Sequence, residues 1–270
     1  MSIGNTIDLS LLRHARDVAV SLAEQAGEIQ RHTKKTDNHI HYKGDIDLVT
    51  DADIASEKLI STGILSEFPS HRLTGEEGAR GSAENGYRWL IDPIDGTTNF
   101  AHGQPHWAVS ICLEYEGTPL MGVVYDVPKR EMFSAISGQG AFLNSEAIQV
   151  SATDQLKQSM GASGFSYDIT ERQGSFRLWE EFNQNARAMR RNGAAALDMA
   201  WVACGRLDFY FERPISNWDV SAGVVICRES GAMVSRLDGA GYEIDDREVC
   251  ASNGLIHGQV VNLIHQTLAK

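Results

Sequence analysis

Trp89-Leu90-Ile91-Asp92-Pro93-Ile94-Asp95-Gly96-Thr97-Thr98-Asn99-Phe100 runs a hydrophobic stretch into two aspartates three residues apart. Tyr87, Trp89 and Ile91 alternate as a strand does. Pro93 has no N–H for a sheet ladder, so the strand is predicted to stop at Asp92. The chain must then turn sharply, with both carboxylates projecting from the strand's C-terminal rim toward one point. Gly96 lets the backbone approach a ligand closely. If Thr97 and Thr98 open a helical turn, their N–H groups face an anion. One short loop then holds a divalent cation and a phosphate together, because Mg²⁺ takes a few carboxylates plus substrate phosphate. Read alone, the same stretch also fits a plain strand and turn, where turn chemistry favours aspartate.

The surrounding chain narrows the choice. Its 270 residues carry 36 Asp and Glu against 24 Lys and Arg, a formal net charge of −12. That balance argues against duplex nucleic acid and against anionic membrane surfaces, both of which select clustered Lys and Arg. Residues 45–95 hold eleven acids against four bases, more than half of the surplus. No run approaches the roughly 20 apolar residues of a membrane span. Residues 1–12 lack the basic and apolar regions of a signal peptide. Cys112, Cys204, Cys227 and Cys250 are far apart, without zinc spacing, and read as reduced core thiols of a cytoplasmic protein. His39-Ile40-His41 has ligand-like spacing but reads as ordinary surface strand or loop.

Periodicity places a helix over 10–31, with Leu12, Ala15, Ala19, Leu22, Ala26 and Ile29 on one stripe and Ser10 or Asp8 as cap. A second helix is predicted over 52–67, stopped by Pro69. Strands follow at 106–114, 120–125 and 131–136. The second half mixes helices near 175–185, 194–204, 218–229 and 256–268 with strands at 207–212, 232–236 and 249–252. Helices and strands interleave without regular βαβ alternation, which predicts a layered α/β fold with mixed or antiparallel sheets.

Three further segments accompany the aspartate pair: Val49-Thr50-Asp51-Ala52-Asp53, Leu73-Thr74-Gly75-Glu76-Glu77, and Trp218-Asp219-Val220-Ser221-Ala222-Gly223. Taken together, in this order, they resemble the inositol monophosphatase family, the Mg²⁺-dependent, lithium-sensitive sugar phosphatases. Phe100–Gly103, Ala108–Ser110, Gly138–Phe142, Arg190–Ala196 and Leu207–Glu212 extend the likeness over nearly the whole chain. The resemblance implies an αβαβα five-layer sandwich and a homodimer. It implies a single domain over 1–270, built of two closely packed α/β halves, about 8–150 and 151–270.

By the same resemblance, Glu76, Asp92, the Ile94 carbonyl, Asp95 and Asp219 hold two or three Mg²⁺ ions, and the Gly96 and Thr97 backbone cradles phosphate. The Thr97 hydroxyl pairs with Asp53 to position and deprotonate water, with Glu76 serving catalysis as a metal ligand. Asp51 is expected to be an N-cap or surface acid, Glu77 to lie outside the metal ligands, and Asp45 and Asp47 to be solvated. The substrate side falls on Glu212, seven residues before Asp219, with Gly193, Ala195, Arg190 and Ser163 around it. Two adjacent cations suit an in-line displacement on a phosphate dianion, clamping both the attacking and the leaving oxygen.

The expected reaction is hydrolysis of a small phosphate monoester, inositol 1-phosphate first. Histidinol phosphate, 3′-phosphoadenosine 5′-phosphate and fructose 1,6-bisphosphate are the alternatives, because Glu212-Arg213-Pro214-Ile215-Ser216-Asn217 departs from the commoner glycine-containing inositol-type loop. Two other readings compete. Asp45-Ile46-Asp47 has the spacing of a haloacid dehalogenase-type phosphatase but lacks an apolar strand before it. A non-enzymatic regulatory protein is opposed by the complete carboxylate set.

Overall fold

A computed structural model describes residues 8–33, 40–42, 48–81, 86–166 and 172–269. His39, Asp45 and Asp47 of the sequence reading lie outside these residues.

Helix α1 (Leu9–Thr33) is capped by Asp8, whose Oδ1 accepts the Ser10 N–H at 2.8 Å. Its predicted stripe is buried through Leu12, Ala15, Ala19, Leu22 and Ala26, and then continues into Gln30. Strands β1 (Ile40–Tyr42) and β2 (Leu48–Thr50) form an antiparallel pair that leads into α2 (Asp51–Glu67). Thr50 is the N-cap of α2, and its N–H donates to Asp53 Oδ2 at 2.8 Å. Asp51 is therefore the first, exposed residue of the helix and not its cap.

The first sheet contains β3 (Arg72–Gly75), β4 (Arg80–Gly81), β5 (Tyr87–Asp95), β6 (Ala108–Tyr115), β7 (Thr118–Asp126), β8 (Glu131–Ile136), β9 (Ala141–Leu143) and β10 (Glu146–Ala147), with the short helix α3 (Thr97–Ala101) after β5. Spatially these strands run β10-β9-β8-β7-β6-β5-β3-β4. Among the described strands of this sheet, only β3 and β5 pair in parallel, with Leu73 opposite Trp89. The second sheet holds β11 (Met160–Ser163), β12 (Ala188–Arg190), β13 (Phe209–Glu212), β14 (Met233–Ser235) and β15 (Val249–Ser252), in the order β12-β11-β13-β15-β14.

The helices complete the layers. α1 and α2 cover one face of the first sheet. α5 (Ala195–Ala203) and α6 (Asn217–Glu229) fill the space between the sheets, and α4 (Arg172–Asn185) and α7 (His257–Leu268) close the far face of the second. The result is the five-layer αβαβα order. Gly122 on β7 permits a close approach of helix backbone to sheet, since a Cβ there would lie 2.4 Å from the Ala222 carbonyl oxygen of α6.

Pro93 does not end β5. The strand continues to Asp95 through a register shift: Asp92 faces Ser110 on β6, and Asp95 faces Ala108. Three steps along β5 thus oppose two along β6, the one-residue surplus of a β-bulge. Proline withholds a ladder donor, and the Ile94 N–H turns to Asp92 Oδ1 at 2.9 Å. Strict alternation would send residues 92 and 95 to opposite faces, and the extra residue returns both carboxylates to one side.

Candidate active site

Asp92 and Asp95 open onto a cavity of about 630 Å³ between the sheets. Four other elements deliver acids to it, α5 with Asp198 among them. β3 runs beside β5, and the Glu76 N–H donates to the Ile91 carbonyl at 3.1 Å, which sets Glu76 next to Asp92. α6 begins at the rim with Asp219, whose Oδ2 accepts the Ser216 N–H at 3.2 Å in a reciprocal cap. β13 ends in Glu212, which accepts a short hydrogen bond from the Tyr210 hydroxyl.

The Glu76 turn is itself anchored. Buried Glu57 on α2 accepts the N–H groups of Glu77 and Ala79, both at 2.7 Å. Gly75 makes room for that carboxylate, because a Cβ there would lie 2.2 Å from Glu57 Oε2. Under the β5 bulge, buried Gln30 donates to the Pro93 carbonyl at 2.9 Å and accepts from the Trp107 indole at 3.1 Å.

Gly96 follows the bulge at φ 96°, a conformation that favours glycine. A Cβ there would meet the His106 and Gly193 carbonyls at 3.0 and 3.1 Å. Asn99 clamps the same junction, donating to the His106 and Asn192 carbonyls, each at 2.8 Å. The Thr97 hydroxyl lies 2.9 Å from the Ile94 carbonyl and 3.2 Å from Asp53 Oδ1. Asp53 is fully buried, reaches the cavity only through Thr97, and is also held by the Thr50 hydroxyl at 2.5 Å.

Asp95 bridges the halves of the site. Its two oxygens accept the N–H groups of Ala195 and Ala196 at 3.0 and 2.7 Å, at the start of α5. The N-terminal ends of α5 and α6 therefore both face the carboxylates, where their dipoles favour negative charge.

Burial dominates the electrostatics. It raises Asp53 to about 6, against hydrogen bonds from Thr50 that lower it. It raises Asp95 to about 7, against the two α5 N–H groups. Asp92 and Asp219 are pushed well above the usual carboxylate range by burial and then by neighbouring Glu76 and other acids. None of the ion pairs among the described residues involves Asp92, Asp95 or Asp219. The donor set is hard oxygen, and Asp92, Asp95 and Asp219 bring acidic groups with no cationic partner among the described residues, the chemistry that suits Mg²⁺. Among the described residues, no three His, Cys, Asp or Glu side chains close into a cage around one point. An open set still fits this ion, which keeps several of its waters and completes its shell with substrate phosphate.

Of the predicted substrate residues, Glu212, Gly193 and Ala195 line the cavity. Arg190 and Ser163 do not. Arg190 is exposed at the end of β12 with its guanidinium on the Met189 carbonyl, and buried Ser163 turns its hydroxyl to the Gly164 carbonyl at 3.3 Å. Arg191 and Asp198 line the cavity instead. Asp198 is buried on α5 and accepts from the Asn192 amide at 2.6 Å. The sequence assigns no individual role to Glu57, Gln30, Asn99, Arg191 or Asp198, although Arg191 falls in the segment expected on the substrate side. A usable signal existed for Glu57, one helical turn beyond Asp53 on α2.

Two sheets sandwiching a helix pair, with acids from five elements around one cavity, define a phosphatase acting on small phosphate monoesters. The chain belongs to the inositol monophosphatase family, whose model matches residues 11–269. It is 38% identical over 259 residues to "Inositol monophosphatase 2" of Solanum lycopersicum, covering 93% of this chain and 98% of that protein. It is 36% identical over 245 residues to "Nus factor SuhB" of Pseudomonas aeruginosa, covering 88% and 90%. The inositol monophosphatase structure from Anabaena (Nostoc) superposes with a TM-score of 0.86 at 37% identity, over 95% of this chain and 97% of that one. Family members act on phosphate monoesters.

Proposed function

We propose that the chain hydrolyses inositol 1-phosphate to inositol and phosphate with Mg²⁺ bound in the carboxylate cavity. The observation that carries this reading is the β5 bulge, which turns Asp92 and Asp95 toward Glu76 and Asp219 while Thr97 links the cavity to Asp53. Glu76, Asp92, Asp95, Asp219 and the Ile94 carbonyl would hold two or three Mg²⁺ ions. When bound, these ions activate water and stabilise the departing alkoxide in an in-line displacement.

The chain's own residues do the rest. The N–H groups of Gly96 and Thr97 orient the phosphate. The Thr97 hydroxyl aligns the attacking water and passes its proton to Asp53 Oδ1, which Thr50 holds in place. The water oxygen bonds to phosphorus as the ester P–O bond breaks, and the alkoxide takes a proton from solvent. Glu212 and the backbone of Gly193 and Ala195 face the polyol hydroxyls.

The test is phosphate release from inositol 1-phosphate, histidinol phosphate, 3′-phosphoadenosine 5′-phosphate and fructose 1,6-bisphosphate, with Mg²⁺, EDTA and Li⁺, beside the Asp92→Asn variant. Inositol 1-phosphate turnover that EDTA, Li⁺ and Asp92→Asn each abolish is the expected pattern. Near-normal activity of Asp92→Asn at saturating Mg²⁺ would sink the assignment.

A relative named Nus factor SuhB supports a second, non-catalytic role beside this one. Mg²⁺ binding with no turnover of any ester in the panel would favour that role alone. We also place the protein in the cytoplasm, supported by four free cysteines, and read 1–270 as one domain whose core draws Leu90 and Val124 together with Tyr210 and Val249. No helix among the described residues is long and apolar enough to cross a membrane. We also propose a homodimer, which the resemblance to the family supports; sedimentation should give twice 29.6 kDa, and a monomer mass at assay concentration rejects it.

A further inference from the structure

Glu212 reaches the cavity with one of its two oxygens already taken. Side chains alternate along β13, so Tyr210 and Glu212 share one face of the sheet and Phe209 and Phe211 the other. The packing agrees: Tyr210 lies in the core between the sheets, while Phe209 and Phe211 lie against Phe182 of α4. The fully buried Tyr210 donates its hydroxyl in a short hydrogen bond to Glu212 Oε2. Among the described residues, Oε1 receives no such donor.

Gly164 shapes the other side. β11 and β13 run in parallel with Ser163 opposite Phe211, which brings Gly164 alongside Glu212. A Cβ at 164 would lie 1.9 Å from Glu212 Oε2 and 2.1 Å from Oε1, so any larger residue would push the carboxylate out of its slot. Gly164 and Glu212 both line the cavity. Burial raises the Glu212 carboxyl, against the Tyr210 hydrogen bond and the Arg191 charge, which favour its ionised form. Burial, and then the charge of Glu212, push the Tyr210 phenol well above its ordinary value, so it remains a donor.

A glutamate on a flexible stem points in one direction only when packing and hydrogen bonds lock it. We propose that Tyr210 is a positioning residue for substrate choice: its hydroxyl ties down Glu212 Oε2, Gly164 leaves the slot, and Oε1 is thereby fixed to accept one hydroxyl of the leaving group. This rests on the reading that Glu212 meets the polyol, and names the residues that give that contact its direction. One fixed acceptor reads the position of a single hydroxyl, whereas a swinging carboxylate accepts from several.

The test is the ratio of kcat/KM on inositol 1-phosphate to that on cyclohexyl phosphate, the same ring without its free hydroxyls. It is measured with Mg²⁺ for the wild type, Tyr210→Phe, Gly164→Ala, Glu212→Ala and Tyr210→Phe/Glu212→Ala, with melting temperatures alongside. Tyr210→Phe should lower the ratio about tenfold, mostly through KM for inositol 1-phosphate, the worth of one hydrogen bond to a charged group. Gly164→Ala, which keeps the tyrosine, should lower it as well. In the Glu212→Ala background, loss of the Tyr210 hydroxyl should change the ratio no further, because it acts through that carboxylate.

A wild-type ratio in Tyr210→Phe or in Gly164→Ala, where Glu212→Ala has lost it, overturns the proposal. So does an equal loss on both esters, the mark of a purely structural role, or a loss that persists undiminished without Glu212. No preference in the wild type, or one that Glu212→Ala keeps, removes the polyol reading of Glu212 and the proposal with it, while the phosphatase chemistry stands. If neither ester is turned over, the phosphatase reading falls by itself. Calorimetric titration of inositol 1-phosphate then decides: binding weakened by Tyr210→Phe only when Glu212 is present supports the positioning role, and equal binding rejects it.

Discussion

Glu57 shows how a residue outside the cavity can govern it. Its carboxylate accepts two backbone N–H groups from the turn that carries Glu76, and the lack of a side chain at Gly75 leaves it the room. Glu57→Gln places an amide N–H against one of those donors and loosens the turn. Loss of such supporting contacts typically costs about 10–100-fold in metal affinity or activity. The expected result is a rise of that order in the Mg²⁺ concentration needed for half-maximal turnover, with the melting temperature nearly kept; an unchanged Mg²⁺ dependence contradicts it. At this scale the motif residues were legible because their spacing is local. Arg190 and Arg191 were not separable, because only the end of β12 decides that the first faces solvent and the second the cavity. Gln30 was also invisible, since hydrophobic periodicity flags apolar residues and this buried amide owes its place to distant Pro93 and Trp107.

Among the elements, β5 and α6 set the metal-facing geometry. Proline correctly signalled a broken ladder, but β6 extends far enough for Asp95 to pair with Ala108, and the break becomes a bulge. A strand stop and a bulge look alike in one segment; the partner strand distinguishes them. α6 brings Asp219 to the same point while lying directly on Gly122 of β7. Gly122→Ala would drive a methyl into the Ala222 backbone and lift the helix. Overpacking of this kind costs about 1–3 kcal/mol. Denaturant melts should show that loss together with weaker Mg²⁺ activation, and a variant of native stability would mean that α6 is not so tightly seated. Helix α1 and strands β7 and β8 were readable from periodicity. The short strands β3, β11 and β12 were not, because three or four residues carry too little pattern.

For the molecule as a whole, the buried acids couple stability to pH and to metal. Asp53 and Asp95 titrate near 6 and 7 in the folded protein, above their unfolded values near 4, because burial disfavours the charged form. A group raised in this way contributes stability that is whole below the unfolded value and lost as pH rises through the folded one. The metal-free protein should therefore melt progressively lower from about pH 4 to above pH 7 on account of these groups. Mg²⁺ neutralises the ionised carboxylates and binds the native state, so it should raise the melting temperature more at pH 8 than at pH 5. Calorimetry with Mg²⁺ and with EDTA at the two pH values checks this; an equal shift at both contradicts it.

The sequence by itself determined the residue types, their order and their local turns: the Asp92-Pro93-Ile94-Asp95-Gly96 stretch, the acid pairs on α2 and before β5, the helix that begins near Asp219, and with them the family. Those are properties of neighbours along the chain. Tertiary structure decided which side chains share a point. The bulge brought Asp92 and Asp95 to one face, Thr97 joined buried Asp53 to the cavity, and α5 placed Ala195 and Ala196 on Asp95. Each of these depends on contacts between residues far apart in the chain, fixed by packing around a shared core, and no local pattern encodes them.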